Sequence, residues 1–208
     1  SVYQKYISYI VRRSNGYLIK SIFDDLNLIC THPYLHKGAE SDILMSRRFT
    51  NSNHESTQTP AEFSNKALVE SSSKMKFIHK VVNYIQSNKK NGRLVICSHF
   101  EDILDIVQDY FEYNDIQFDR ISDNTRGVDR NDAIQRFNTI NSIDFSLLLC
   151  LDGGINGIQL NNVKDIILID SGWNPEKDIE NIISVIKSEE LNIYRLLPSR
   201  TVERLKYD

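Results

Sequence analysis

The chain has little that would staple it, kink it or carry it through a membrane. Its 208 residues include three cysteines, Cys30, Cys97 and Cys150. They are odd in number, far apart and set among apolar neighbours. That excludes a disulfide scaffold and predicts buried free thiols in a reducing compartment. No apolar run reaches the ~20 residues of a membrane helix, and no secretory signal pattern opens the chain. A basic surplus is missing too: 25 Lys and Arg stand against 28 Asp and Glu, for a net charge of −3. Any affinity for nucleic acid therefore has to come from a local patch. None of the eight glycines precedes a lysine, so a phosphate-cradling Gly-x-x-x-x-Gly-Lys-Ser/Thr loop is absent. Cys30, His32 and His36 cluster around Pro33, but without a second ligand pair they predict no metal site.

What remains is an ordinary globular composition, 40% apolar and 25% charged, sized for one domain with an appendage. Residues 1–36 have helical periodicity. Tyr3, Tyr6, Ile7, Ile10 and Val11 form one stripe, and Ile19, Ile22, Phe23 and Leu26 a second, parted at Ser14-Asn15-Gly16 and ended by Pro33. The region is expected to pack on the domain that follows. Polar, mostly aperiodic residues make 37–70 a flexible connection. Over 71–208 the pattern alternates. "SSSKMKFIHKVVNYIQSN" is a serine-capped amphipathic helix, Asn91-Gly92 is a turn, and "RLVICSHF" is a continuous apolar strand of the kind a buried parallel sheet needs. Helices "EDILDIVQDYFEYN", "GVDRNDAIQRFNT" and "PEKDIENIISVIK" then alternate with strands "IQFDRIS", "FSLLLCL", "IILID" and "LNIYRLL". Apolar strands joined by helices predict a right-handed, doubly wound α/β sheet.

Seven segments in order carry a resemblance. "LNLICTHPYL", "SSSKMKFIHKVV", "RLVICSHFEDILDIVQDYF", "DRISDNTRGVDRNDAIQRFN", "CLDGGINGIQL", "DSGWNPEKD" and "NIYRLLPSRTVER" resemble, piece by piece, the second RecA-like lobe of Swi/Snf-type chromatin-remodelling ATPases. The resemblance implies a three-layer RecA-like parallel sheet domain with an N-terminal helical extension. It also implies a first lobe, carrying the phosphate loop, elsewhere.

The departures from that family are as informative as the matches. Asp152, followed by Gly153 and Gly154, stands where the resemblance implies an arginine, and Ile155 stands in place of a glycine. Ser184 and Lys187 occupy the positions of two phosphate-facing arginines, and Glu189-Glu190 those of Gly-Gln. A lysine does not reproduce a bidentate guanidinium clamp, and an acid repels phosphate. The apolar residues Ile179, Ile182, Ile183 and Ile186 keep a buried stripe beside them.

Other residues carry paired readings. Ser98 and His99 are residual nucleic-acid contacts or a strand-end polar pair. Lys74, Lys76, Lys80, Lys89, Lys90 and Arg93 form a phosphate-binding patch or a solvated helix face. Glu101, Asp102, Asp105, Asp109 and Glu112 stack like charges on one helix face, unsuited to a phosphate backbone. Trp173 is expected as a packing anchor beside Asp170. Tyr6 and Ile10 bind a partner or sit in the core. The loops at Ser98-His99, Asp152-Gly154 and Ser171-Trp173 are expected to converge outside the carboxyl ends of the strands.

Together these readings predict a chain that is not an enzyme and takes no cofactor. Its expected role is that of a helicase-like scaffold in a nuclear chromatin-silencing complex. The resemblance extends to degenerate domains of histone deacetylase complex subunits 2 and 3 and of a fission-yeast telomere-capping subunit. The partners are then other subunits, with weak or absent DNA binding. The alternatives are an ATP-independent DNA-binding module and the C-terminal lobe of a DNA-dependent remodelling ATPase.

Overall fold

The computed structural model describes residues 19–51, 60–88, 93–139, 146–199, 201 and 203–204. Tyr6, Ile10, Lys89 and Lys90 lie outside them. An α-helix over Ile19–Thr31 (α1) leads through a 3-10 turn at Pro33–Leu35 into α2 (Ala39–Asn51), α3 (Pro60–Ser71) and α4 (Ser73–Asn88). The sheet domain follows as β1 (Arg93–Ser98), α5 (Glu101–Tyr113), β2 (Phe118–Ile121), α6 (Gly127–Thr139), β3 (Ser146–Cys150), β4 (Leu160–Asn161), β5 (Val163–Leu168), α7 (Pro175–Ser184), β6 (Ile186–Lys187) and β7 (Asn192–Arg195). No described helix is long and apolar enough to cross a membrane.

Every residue of β1 is buried, which places it at the centre of a five-stranded sheet of order β2-β3-β1-β5-β7. The pairings are parallel throughout. Successive strand side chains point to opposite faces, and the core divides accordingly. Leu94 and Ile96 of β1, with Leu148 of β3 and Ile167 of β5, meet Met75, Ile78 and Val82 of α4 and Ile103, Leu104 and Val107 of α5. Val95 and Cys97, with Leu147, Leu149, Ile166 and Leu168, meet Ala133 and Phe137 of α6 and Ile182 of α7. Each fully buried aliphatic or aromatic side chain stabilises the fold by about 1.5–3 kcal/mol. The result is the expected three-layer RecA-like α/β architecture.

Several details differ from the sequence reading. The polar stretch expected as a connection contains helices α2 and α3. Its apolar residues are too sparse to show a clear period, yet Ala67 and Leu68 are buried against the sheet domain. Lys74 is not part of an exposed basic cluster. It is buried, with Nζ 2.8 Å from Glu203 Oε1 and 2.6 Å from the Ile169 carbonyl oxygen. Ile183 is half exposed, at 50%, because the buried face of α7 carries Asp178 and Ile182 and the next residue is turned away from it; Ile186 passes into β6. Cys97 and Cys150 are buried free thiols and Cys30 is half-buried. Burial pushes the Cys97 thiol far up, and the Cys150 thiol up to about 11.

Candidate functional site

The topology fixes where a site has to lie. The chain leaves β1 toward α5 on one face of the sheet and leaves β5 toward α7 on the other. In open α/β sheets, ligands bind in the crevice such a divergence opens outside the carboxyl ends of the strands. Here the loops after β1, β3 and β5 meet, as the sequence predicts.

Ser98 closes β1 and is fully buried. Its Oγ donates to Asp170 Oδ2 in a short hydrogen bond, and the His99 backbone N–H donates to Asp170 Oδ1 at 3.0 Å. Asp170 thus spans the gap between β1 and β5 while only 1% exposed. The His99 ring lies between two further carboxylates. Nδ1 is 2.8 Å from Asp152 Oδ1, and Nε2 is 3.1 Å from Asp178 Oδ2. The second contact is an ion pair without hydrogen-bond alignment. Burial acts to lower the His99 pKa, but Asp178, Asp170 and Asp152 together outweigh it and raise it to about 9. Asp178 also accepts the Gly172 backbone N–H at 2.8 Å. The helix that carries Asp178 starts cleanly: Asn174 Oδ1 accepts the Lys177 N–H, and Pro175 occupies the first turn.

The loop after β3 is braced from below. Arg130 of α6 donates to the carbonyls of Gly154 and Asn156, at 2.7 and 2.6 Å. Ile155 is buried in the core, so the residue in place of a glycine acts as an anchor. Gly153 has a φ of +86° and lies under Asp123, and a side chain on Gly154 would collide with the Cys150 carbonyl.

The phosphate-facing positions are differently disposed. Ser184 is exposed at the end of α7, its Oγ donating to the Asn181 carbonyl at 2.7 Å. Lys187 is exposed on β6, with its backbone paired to Asn161. Arg93, read with its basic neighbours as a phosphate-binding patch or a solvated face, is neither: it is 5% exposed. It donates to the carbonyls of Asn161 and Asn138 and lies over the Phe137 ring. A guanidinium that satisfies backbone carbonyls and stacks on an aromatic acts as an internal brace. Ser98 and His99 likewise turn inward to carboxylates. Trp173, expected as a packing anchor, is 55% exposed at the crevice rim.

The profile of the helicase conserved C-terminal domain matches residues 73–183. The chain belongs to this family. Chromodomain-helicase-DNA-binding protein 8 of Xenopus tropicalis is 31% identical over 215 residues, a match that takes in 100% of this chain and 10% of that protein. Human chromodomain-helicase-DNA-binding protein 7 is 33% identical over 187 residues, covering 88% of this chain and 6% of that one. The chain therefore spans a tenth or less of the length of these relatives. Among solved structures, the C-terminal part of the Fun30 ATPase domain superposes with a TM-score of 0.59 at 22% identity, over 80% of this chain and 51% of that one. At that identity the likeness establishes the fold.

The helicase C-terminal domain described here is of the Swi/Snf type. The expectation that the chain is not an enzyme is overturned by these relatives, which are helicases by name and match along the chain's length. That expectation rested on Ser184 and Lys187. Ser184 at the end of α7 and Lys187 on β6 are two exposed side chains, and they do not decide it. The named relatives do not bear on the histone deacetylase and telomere connections.

Proposed function

We propose that this chain is the C-terminal lobe of a nuclear, DNA-dependent Swi/Snf-type remodelling ATPase. It would work on chromatin by closing against a first lobe that supplies the phosphate loop. The observation that carries this reading is the strand-end crevice itself. Ser98-His99, Asp152-Gly154, Asp170-Trp173 and the start of α7 converge there, within the span matched by the helicase C-terminal profile. The exposed rim around Trp173 suits closure onto another surface. Ser184 closes α7 and Lys187 follows on β6, where serine and lysine give the lobe less phosphate-facing charge than paired arginines provide. The test is ATP-dependent repositioning of a mononucleosome by the full-length protein. Movement with ATP and none with a non-hydrolysable analogue is expected. No movement under either condition, with the protein folded and DNA-bound, overturns the reading.

A further inference from the structure

One side chain ties three loops together at the crevice. His99 follows β1, Asp152 follows β3, and Asp178 lies in the first turn of α7. A neutral imidazole has one N–H donor and one acceptor nitrogen. Here both ring nitrogens lie near carboxylate oxygens, 2.8 Å at Nδ1 and 3.1 Å at Nε2. A neutral ring with its proton on Nδ1 keeps the hydrogen bond to Asp152 but leaves an uncharged Nε2 beside the Asp178 carboxylate; only the doubly protonated ring adds the ion pair there. The charged and titratable groups around it come from every neighbouring element. Asp152 lies on the loop after β3, and Asp170 on the loop after β5 accepts the His99 N–H. Asp178 belongs to α7. Glu101 heads α5 and lies 4.0 Å from Arg120. The Cys150 thiol, 3.8 Å from the His99 carbonyl oxygen, stays neutral. The loop has two more anchors, the Arg130 bonds to Gly154 and Asn156 and the buried Ile155.

We propose that protonated His99 is a positioning residue that locks the Asp152–Gly154 loop to the start of α7. The lock holds the crevice in one arrangement at neutral pH and opens when the ring loses its proton. Asp152 is the member that moves. Its side chain is 74% exposed, whereas those of His99 and Asp178 are 15% and 11% exposed. The inference stands apart from ATP hydrolysis, because its readout is the loop itself.

Nuclear magnetic resonance of the isotope-labelled full chain between pH 5 and 10 tests it. The expected result is a His99 ring titration near 9, with the Gly153 and Gly154 amide resonances following the same midpoint. In Asp152→Asn the His99 midpoint falls and the loop amides lose protection from exchange. His99→Gln removes the high-pH transition of the loop amides. Asp152 is exposed, so its variant keeps the test decisive if His99→Gln does not fold. A His99 midpoint at the ordinary ~6.5, or loop amides that ignore the His99 titration, overturns the proposal.

Discussion

Lys74 and Glu203 form a buried ion pair, Nζ to Oε1 at 2.8 Å, with side chains only 3% and 2% exposed. The pair joins the first turn of α4 to the far end of the chain. Lys74 Nζ also donates to the Ile169 carbonyl oxygen at 2.6 Å and to Thr31 Oγ1 at 3.3 Å. One ammonium therefore gathers α1, α4, the end of β5 and the C-terminal segment beneath the crevice.

Removing one partner of such a pair leaves a buried charge uncompensated and costs about 3–5 kcal/mol. Lys74→Met and Glu203→Met are each expected to lower urea-unfolding stability by that order. The double variant Lys74→Met/Glu203→Met is expected to recover part of the loss, because no lone charge remains. Additive losses in the double variant would show that the two residues act independently.

His32 sets an acid limit on stability. Its Nε2–H donates to the Leu68 carbonyl at 2.9 Å, and its Nδ1 accepts the Tyr34 N–H at 3.1 Å. This suits the neutral ring, and burial lowers the pKa from 6.5 to about 4. The unfolded chain takes up the proton first as pH falls. The contribution of His32 is therefore intact above ~6.5 and is lost between there and 4, reaching about 3 kcal/mol at pH 4. His99 has the opposite sign. Its raised pKa stabilises the fold below ~6.5, and that stabilisation fades as pH climbs through about 9. Unfolding free energies measured across this range should fall at both ends. A His32→Gln variant with an unchanged acid slope would contradict the assignment.

Two of the three glycines in the loop after β3, Gly154 and Gly157, should respond differently to alanine. A Cβ on Gly154 would come within 2.2 Å of the Cys150 carbonyl oxygen and 2.9 Å of that of Ile121. Strand-end backbone has no room to yield, so Gly154→Ala is expected to cost about 1–3 kcal/mol or more. Gly157 has open space around it and a φ of +69°, so Gly157→Ala costs only the left-handed backbone penalty, about 1–2 kcal/mol. Thermal unfolding of the two variants checks the order.

Much of the sheet domain was legible because its signals are local. The unbroken apolar run of β1, the alternation of helices with strands and the Asn174-Pro175 helix start each lie within a few residues. The convergence of the three strand-end loops followed from topology alone. What escaped the sequence depends on distant partners. Nothing near Lys74 announces Glu203, so it read as one more surface lysine. Arg93 read as basic patch because its acceptors, the carbonyls of Asn138 and Asn161, have no side-chain signature. His99 read as either a nucleic-acid contact or a strand-end polar residue, because Asp152 and Asp178 reach it only once the sheet is built. The helices α2 and α3 were hidden by polar composition, although Glu40 and Asp42 in the first turn of α2 and Glu62 in that of α3 complement a helix N-terminus.

The end of α7 carries a prediction about rate. Ser184 and Lys187 are both exposed, so neither is committed to the core. Arginine groups on a transferring phosphoryl are commonly worth 10³–10⁵ in rate. Ser184→Arg/Lys187→Arg in the full-length protein is expected to raise ATP turnover by at least ~10-fold, without changing stability by more than ~0.5 kcal/mol. An unchanged rate would place these positions away from the nucleotide.

The most direct test of the central claim is steady-state ATP hydrolysis by the full-length protein with and without duplex DNA. A C-terminal lobe of a DNA-dependent ATPase predicts turnover that rises severalfold when DNA is added and that is lost when the crevice is disrupted by Asp170→Asn. Turnover at background in both conditions, or a rate indifferent to DNA, would contradict it.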